Sequence, residues 1–596
     1  MDFRKAHKLP NCITHGETME MKYAHHFHAY QPGDIVYVKD GDGKSPIEYE
    51  ERKSPVSIKI RDEYVKGENW TRAMLYSYEY INDVLGRMKG VSVDIEPFTF
   101  LMLLHYRRRA FEETVELLRE LDAVPTTPFH PIVPHLDRFE QEILAKVSFD
   151  FYSPLIENRP VVGYWLPEAV ITRESASIVE SSTDRKLVFL LDERQLLYDF
   201  PQAKYSCNRY LNSFVFGREW ELSDAFAFNT LDVLGLIGKT LERRDEYKES
   251  VGVPYLVFTA SDLESLLGNP AQLDRFISWM KGLEENGVER VSAMEFVRRK
   301  LSGEFRRLDG ECSFEMGVKD YSAWSDYFDL SLDGKTSDSR WLGYRRADGK
   351  VFARAVNGRK ISQLWKVAFT RLFEELNRVV RLGVLRALED IGADRERAAE
   401  FLVRYARVFF RDYYDYFGMD TSLDYVLEPA NGEEKALKLG RVYYLMLLAN
   451  HSCPRFWENL DTRVAFGNVS VLSKALIELM EYFEGSELQG LFIGAYLKLL
   501  NFGELYHLWN LGTLPSLEGW ETTEKAWADA LAPEVPNSGY NVVTRAALFV
   551  GKRDLRGSLR ELIENYKLEW AVADTGHIPG EAHGHWENRE WCEHRG

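Results

Sequence analysis

Between Met21 and about Lys300 the chain repeatedly pairs a short β-branched or aromatic run with an amphipathic helical stretch, and this alternation restricts the fold more than any other feature. Residues 22–28 read as a strand, 71–88 as a helix, 91–95 as a strand and 110–121 as a helix. Further strands are expected at 161–165, 186–191, 214–216 and 255–258, with helices at 232–241 and 271–286. A strand-then-helix order implies parallel strands joined by right-handed crossovers. The pattern therefore predicts an α/β fold, with a β/α barrel as first choice; a doubly wound open sheet produces the same periodicity.

With 596 residues the chain has room for such a barrel and more besides. The expected division is an N-terminal extension at 1–20, a barrel catalytic domain at 21–300, a loop region at 301–360 and a helical domain at 361–596. The loop region is dense in aromatic residues, among them Tyr321, Trp324, Trp341 and Tyr344, which argues for a functional border to a cleft. Beyond it Leu364, Ala368, Leu372, Phe373, Leu376 and Val380 recur at helical spacing, followed by helical patterns over 397–417 and 435–449.

The apolar fraction of 45% and charged fraction of 28% belong to a globular protein, and no apolar run is long enough to span a bilayer. A net charge of -18 argues against nucleic acid, whose binding needs clustered cations, and favours a neutral substrate. The five cysteines are scattered singly, without the pairing of a zinc site or disulfide framework, so a reducing cytoplasmic interior is expected. Residues 1–20 lack the apolar core of a secretion signal, and Met21 is an alternative start. Glutamine is scarce against abundant Glu, Asp and Arg, a bias of heat-adapted proteins. Nothing in the pattern reports oligomeric state, and a homo-oligomer is left open.

Several acids stand at the ends of expected strands. Glu168 follows Tyr164-Trp165-Leu166-Pro167, where the proline forces its predecessor out of helical geometry and marks an abrupt strand-to-loop transition. Asp262 follows a run ending Thr259-Ala260-Ser261, with Glu264 two residues on, and Asp192 follows Leu190-Leu191. Strand ends are where barrel enzymes keep their chemistry, and two such carboxylates are the minimum for glycoside hydrolysis. Each of these acids can equally cap the following helix. His26 and His28 share one strand face, which suits either a metal or hydrogen bonds to hydroxyls. The tail, with His577, His583, His585 and His594, matches no zinc spacing and reads as a loop or frayed terminus.

Taken in order, these segments resemble the signature regions of glycoside hydrolase family 57. The opening motif falls on His28-Ala29-Tyr30-Gln31-Pro32, with tyrosine in place of the second histidine. A second region resembles residues 126–134 around His130, a third Gly163 to Ala169, and a fourth Ser261 to Glu264; Phe216 to Asp224 resembles the family's Arg and Ser-Asp stretch. The resemblance covers Met21 to Lys300 well and the helical part in kind. It implies a (β/α)7 barrel with a C-terminal, mostly helical domain.

It further implies a retaining hydrolase of α-1,4-glucosidic bonds in α-glucans and maltooligosaccharides, closest to the maltose-forming amylase group, with exo action one option and endo or exo attack and product length left open. Glu168 is then the nucleophile and Asp262 the general acid/base, roughly 5 to 5.5 Å apart. Burial and the charge of Glu168 are expected to keep Asp262 protonated. The expected substrate-binding residues are His26, His28, Tyr30, Gln31, His130, Trp165, Glu264 and Trp324, with no metal and no cofactor. The same double displacement gives a 4-α-glucanotransferase or branching enzyme when a sugar hydroxyl replaces water. A metal-dependent hydrolase using His26, His28 and Asp262 or Asp192 is the reading from a different class, and a non-catalytic glucan-binding protein ranks last. The partner is an α-glucan, with neither nucleic acid nor membrane.

Overall fold

The computed structural model describes residues 21–30, 88–197, 204–248, 255–266, 270–304, 315–324, 353–423, 433–456, 463–502 and 542–564, apart from a few positions inside these ranges, and isolated positions from 78 to 86. The contacts divide the chain into two units, 1–30 with 73–126 and 148–324, and 31–72 with 127–147 and 325–596.

Among the described residues up to position 300 the first unit carries ten short strands: β1 (Met21–Ala29), β2 (Val91–Ile95), β3 (Asp122–Ala123), β4 (Val161–Tyr164), β5 (Lys186–Asp192), β6 (Leu196–Leu197), β7 (Asn208–Tyr210), β8 (Ser213–Arg218), β9 (Tyr255–Asp262) and β10 (Glu289–Arg290). Seven of them form a parallel ring. β1 lies between β9 and β2, and β2 pairs with β3. β4 pairs with β5, and β5 with β8. The two runs are joined where Thr126 bridges Trp165, Trp165 N donating to Pro125 O at 3.0 Å, and where Glu219 N donates to Phe258 O at 2.7 Å. This is a (β/α)7 barrel, and the open-sheet alternative is set aside by the closure. β10 continues the edge of β1 below β2, and β7 adds antiparallel to β8.

Both faces of the strands are covered, which is why they read as continuous apolar runs. Along β1, His25 and Phe27 point outward against Phe276, while His26 and His28 point inward to Trp165. At β8 a Cβ on Gly217 would stand 2.6 Å from Glu193 Cα, so only glycine lets this strand approach the turn after β5.

Helices follow the strands with their caps in place. Glu96 caps Pro97–Tyr106, Thr172 caps Arg173–Ser181 and Glu219 caps Trp220–Ala227. The helix Pro97–Tyr106 shows no periodicity in sequence because its residues up to Leu104 are buried all round. The second unit is helical, with long members Leu364–Asp390, Glu433–Leu448 and Arg463–Tyr482. Leu372, Phe373, Leu376 and Val380 are fully buried, as their spacing predicts.

Two expectations are corrected. The helix expected over 397–417 is interrupted at Phe410 (φ -100°, ψ 32°), giving Arg395–Phe409 and Arg411–Tyr416. The region 301–360 is not all loop: Gly317–Val318 pairs antiparallel with β6, and Ala353–Val356 pairs with Arg359–Ser362 as a hairpin. Trp341, Tyr344, Gln31, the segment 1–20, most of 71–88 and the histidine-rich tail lie outside the described residues.

Candidate active site

The C-terminal ends of β1, β2, β4, β5, β8 and β9 bring together most of the singled-out residues, as parallel strands in register must. The strand pairing sets His28 opposite Asp94 on one side and opposite Asp262 on the other. His28 stacks on the ring of Trp165 with centroids 5.3 Å apart, and His26 lies tilted against it at 5.1 Å.

Glu168 is delivered by a short turn. Pro167 holds Leu166 extended (φ -78°, ψ 135°), and the chain then turns sharply with both Glu168 (φ 56°) and Ala169 (φ 51°) left-handed. Non-glycine residues in that region cost on the order of 1 kcal/mol each, a strain that the surrounding structure has to hold. Glu168 is 8% exposed, and its Oε2 accepts from Trp324 Nε1 at 3.0 Å. Asp262 ends β9 and is exposed, not buried as the sequence reading expects, so substrate can reach it from the mouth.

Between β1 and β2 a fully buried carboxylate organises the histidines. His26 Nε2 donates to Asp94 Oδ1 at 2.9 Å, His28 Nδ1 donates to Asp94 Oδ2 at 2.8 Å, and Ser92 Oγ lies 3.0 Å from His26 Nδ1. Burial alone would raise the Asp94 carboxyl, but the His28 charge and both imidazole hydrogen bonds hold it below its ordinary value. Burial outweighs Asp94 at His26 and lowers that imidazole. His26 is therefore the neutral Nε2–H tautomer, with Nδ1 accepting from the Ser92 hydroxyl.

A third group lies at β5 and β8. Asp192 caps the turn after β5 by accepting from Arg194 N at 2.9 Å, and it also receives Arg194 Nε at 2.7 Å and Arg218 Nε at 2.8 Å. Arg218 reaches Asp224 as well, at 3.1 Å. Burial lowers the Arg218 guanidinium, but Asp224 and Asp192 outweigh it and raise it above its ordinary value. Asp192 is thus both the cap and an ion-pair centre.

The remaining expected residues fall unevenly. Tyr30 follows β1 and is half-buried. His130 belongs to the second unit, where its Nδ1 lies 2.8 Å from Ser452 Oγ and its backbone is left-handed (φ 50°). Glu264 lies in the turn after β9. Asp94 and Arg218 are part of the mouth yet absent from the expected set. The signal for Asp94 was present, an acid near the end of the strand Val91-Ser-Val-Asp94-Ile95. Among the described residues no group of three or more His, Cys, Asp or Glu is placed to hold a metal ion, and the indole N–H of Trp165 has no hydrogen-bond partner.

Two carboxylates at the C-terminal mouth of a (β/α)7 barrel, beside stacked aromatic rings and hydrogen-bonding histidines, define a glycoside hydrolase of the family 57 type. The chain belongs to the maltose-forming alpha-amylase-like family, whose N-terminal domain model matches residues 19–336 and C-terminal domain model residues 340–576. Among solved structures it is similar to an exo-type maltose-forming amylase from Pyrococcus sp. ST04, at 58% identity over 97% of this chain and 99% of that one, with TM-score 0.85. Weaker likenesses, both at 13% identity, are to a 4-alpha-glucanotransferase from Thermococcus litoralis (78% of this chain, 60% of that one, TM-score 0.42) and a branching enzyme from Thermococcus kodakaraensis (80% and 94%, TM-score 0.41). A comparison with curated protein sequences finds no match.

Proposed function

We propose that this chain cleaves α-1,4-glucosidic bonds of α-glucans and maltooligosaccharides from a chain end, releasing maltose with retention of configuration. The observation that carries the reading is the fixed Glu168 carboxylate at the barrel mouth, with the exposed Asp262 delivered from a different arc of the ring. The likeness to the Pyrococcus exo-type maltose-forming amylase supports the end-wise, disaccharide-releasing action. Residues 21–300 are assigned the catalytic domain and 361–596 the helical one, and the singly scattered cysteines support a cytoplasmic location.

In the first step Glu168 attacks the anomeric carbon while Asp262 gives its proton to the departing glucan oxygen. In the second, Asp262 takes a proton from water, which attacks the same carbon and returns the electron pair to Glu168. Trp165 is fully buried against His26 and His28, so in this reading, which assigns the three to sugar binding on the family resemblance, Trp165 backs the subsite from behind the histidines. Tyr30, Gln31, His130 and Glu264 are assigned substrate contacts on the family resemblance.

The test is a time course of products from an end-labelled maltooligosaccharide, run with and without chelator. Glu168→Gln should lose about 10^4-fold in turnover, and Asp262→Asn about 10^2- to 10^4-fold, with unchanged thermal unfolding. Asp262→Asn should recover most on substrates with good leaving groups, which need no acid. Maltose released with rising reducing ends and indifference to chelator is expected. Longer products at constant reducing ends would make the chain a transferase, and substantial residual activity in Glu168→Gln would remove that residue from the reaction.

A further inference from the structure

We propose that Trp324 belongs to the reaction itself: its indole N–H holds Oε2 of Glu168 and orients the carboxylate for attack through its other oxygen, Oε1. This rests on the reading of Glu168 as nucleophile, and it gives Trp324 a role other than that of a sugar platform.

Trp324 is 6% exposed, and a buried indole N–H needs an acceptor. The acceptor here is a carboxylate oxygen at 3.0 Å, so the bond is charge-assisted. The backbone repeats the connection, Trp324 N donating to Glu168 O at 3.2 Å. The ring itself is wedged edge-on against Trp165, with centroids 4.9 Å apart and planes at 80°, and the Arg218 guanidinium lies 5.1 Å from its centroid.

What makes this a built feature is the clamp behind it. The Trp324 carbonyl accepts from Arg194 Nη2 at 2.6 Å and from Arg218 Nη2 at 3.1 Å. Gln195 Nε2 donates to Ala169 O at 2.8 Å and to Ser322 O at 2.9 Å, and Ile171 bridges Ser322. The same turn after β5 thus pins both the left-handed turn carrying Glu168 and the segment carrying Trp324. Rotation of the carboxylate is removed before substrate arrives, which is the form of preorganisation that costs nothing during reaction.

The chemical consequence differs between the two steps. When the Glu168 Oε1 bond to the anomeric carbon forms, the carboxylate charge is lost and the indole bond weakens. When water displaces the ester, the C1–Oε1 bond breaks, its electron pair returns to Glu168, and the N–H stabilises the charge that reappears. Trp324 therefore helps the carboxylate leave more than it helps it attack.

Trp324→Phe keeps the ring and removes the donor. On an aryl α-maltoside with a good leaving group it should lower kcat about ten- to hundredfold, lower KM because the glycosyl-enzyme accumulates, and show a burst of aryl alcohol. Intact mass should reveal the adduct, and the acidic limb of the pH–rate profile should move to higher pH. Trp324→His, which retains a ring N–H, should recover part of the rate. A variant with raised KM, no burst and the wild-type acidic limb would make Trp324 only a subsite wall. Should Trp324→Phe fail to fold, Arg194→Gln, which removes one of the two donors on the Trp324 carbonyl, should show the same changes in smaller measure, and an unchanged acidic limb there would overturn the inference. The underlying reading is judged separately by Glu168→Gln: if that variant turns over, the assignment of the nucleophile falls, whatever Trp324 does.

Discussion

Asp94 in the barrel and Glu140 in the helical unit are both buried carboxylates that accept hydrogen bonds from nitrogen donors, yet they are driven in opposite directions. Asp94 is held below its ordinary value, whereas burial pushes Glu140 up to about 7. The difference lies in what each can collect. Asp94 receives an N–H from each of two imidazoles. Glu140 receives Arg381 Nη1 at 2.7 Å, but the same guanidinium also pairs with Asp137, whose negative charge opposes ionisation of Glu140. Burial sets the cost, and the donors gathered against the opposing negative charges nearby decide the sign.

The largest effect expected from this contrast is at Asp94. Asp94→Ala leaves two buried imidazoles without their acceptor, which should cost about 3 to 5 kcal/mol in denaturant unfolding. It should also lower turnover by more than about a hundredfold, because His26 and His28 then lose their fixed packing against Trp165. Since the folded value of Asp94 is depressed, its contribution is fully present above 3.8 and is lost as pH falls through the lower folded value. Equal stability of Asp94→Ala and wild type at neutral pH would show that the imidazoles have other partners.

A smaller, pH-dependent effect is expected at Arg381. Arg381→Met removes the only guanidinium that the described structure places on Glu140, so the carboxyl should stay neutral to still higher pH. The cost should be on the order of 2 kcal/mol at pH 8 and less at pH 5, where the Glu140 proton is already retained. Thermal unfolding at the two pH values measures it. A penalty independent of pH would mean that Arg381 serves Asp137 instead.

The contrast also marks what a sequence can yield. The ring of strands was legible because strands covered on both faces carry long apolar runs, and the strand-end acids Glu168, Asp192 and Asp262 were legible from where those runs stop. Which acid meets which partner was not. Asp94 lies 66 residues from His28 and Trp324 lies 156 from Glu168, so only the pairing of β1 with β2 and the packing of the later segment onto the turn after β4 bring them together. The same holds for Arg218, whose charge was visible but whose position between Asp192 and Asp224 depends on the register of β5 with β8. The interruption at Phe410 was hidden because the residues on both sides keep a helical pattern, and the hairpin at 353–362 because short antiparallel pairs need no long apolar run.

Glu140 itself gives the smallest and sharpest test. Its carboxyl keeps a proton in the folded protein up to about 7, whereas the unfolded chain releases it near 4.5. Between those values the folded state binds more protons than the unfolded one, so stability falls as pH rises through the window. Glu140→Gln is neutral throughout and can still accept from Arg381 and Tyr443, so it should match wild type near pH 5. By pH 8 it should be the more stable, by on the order of 1 kcal/mol. Denaturant midpoints of both proteins across this range decide the point. Parallel curves would mean that the single guanidinium suffices for Glu140, and that donor count does not separate it from Asp94.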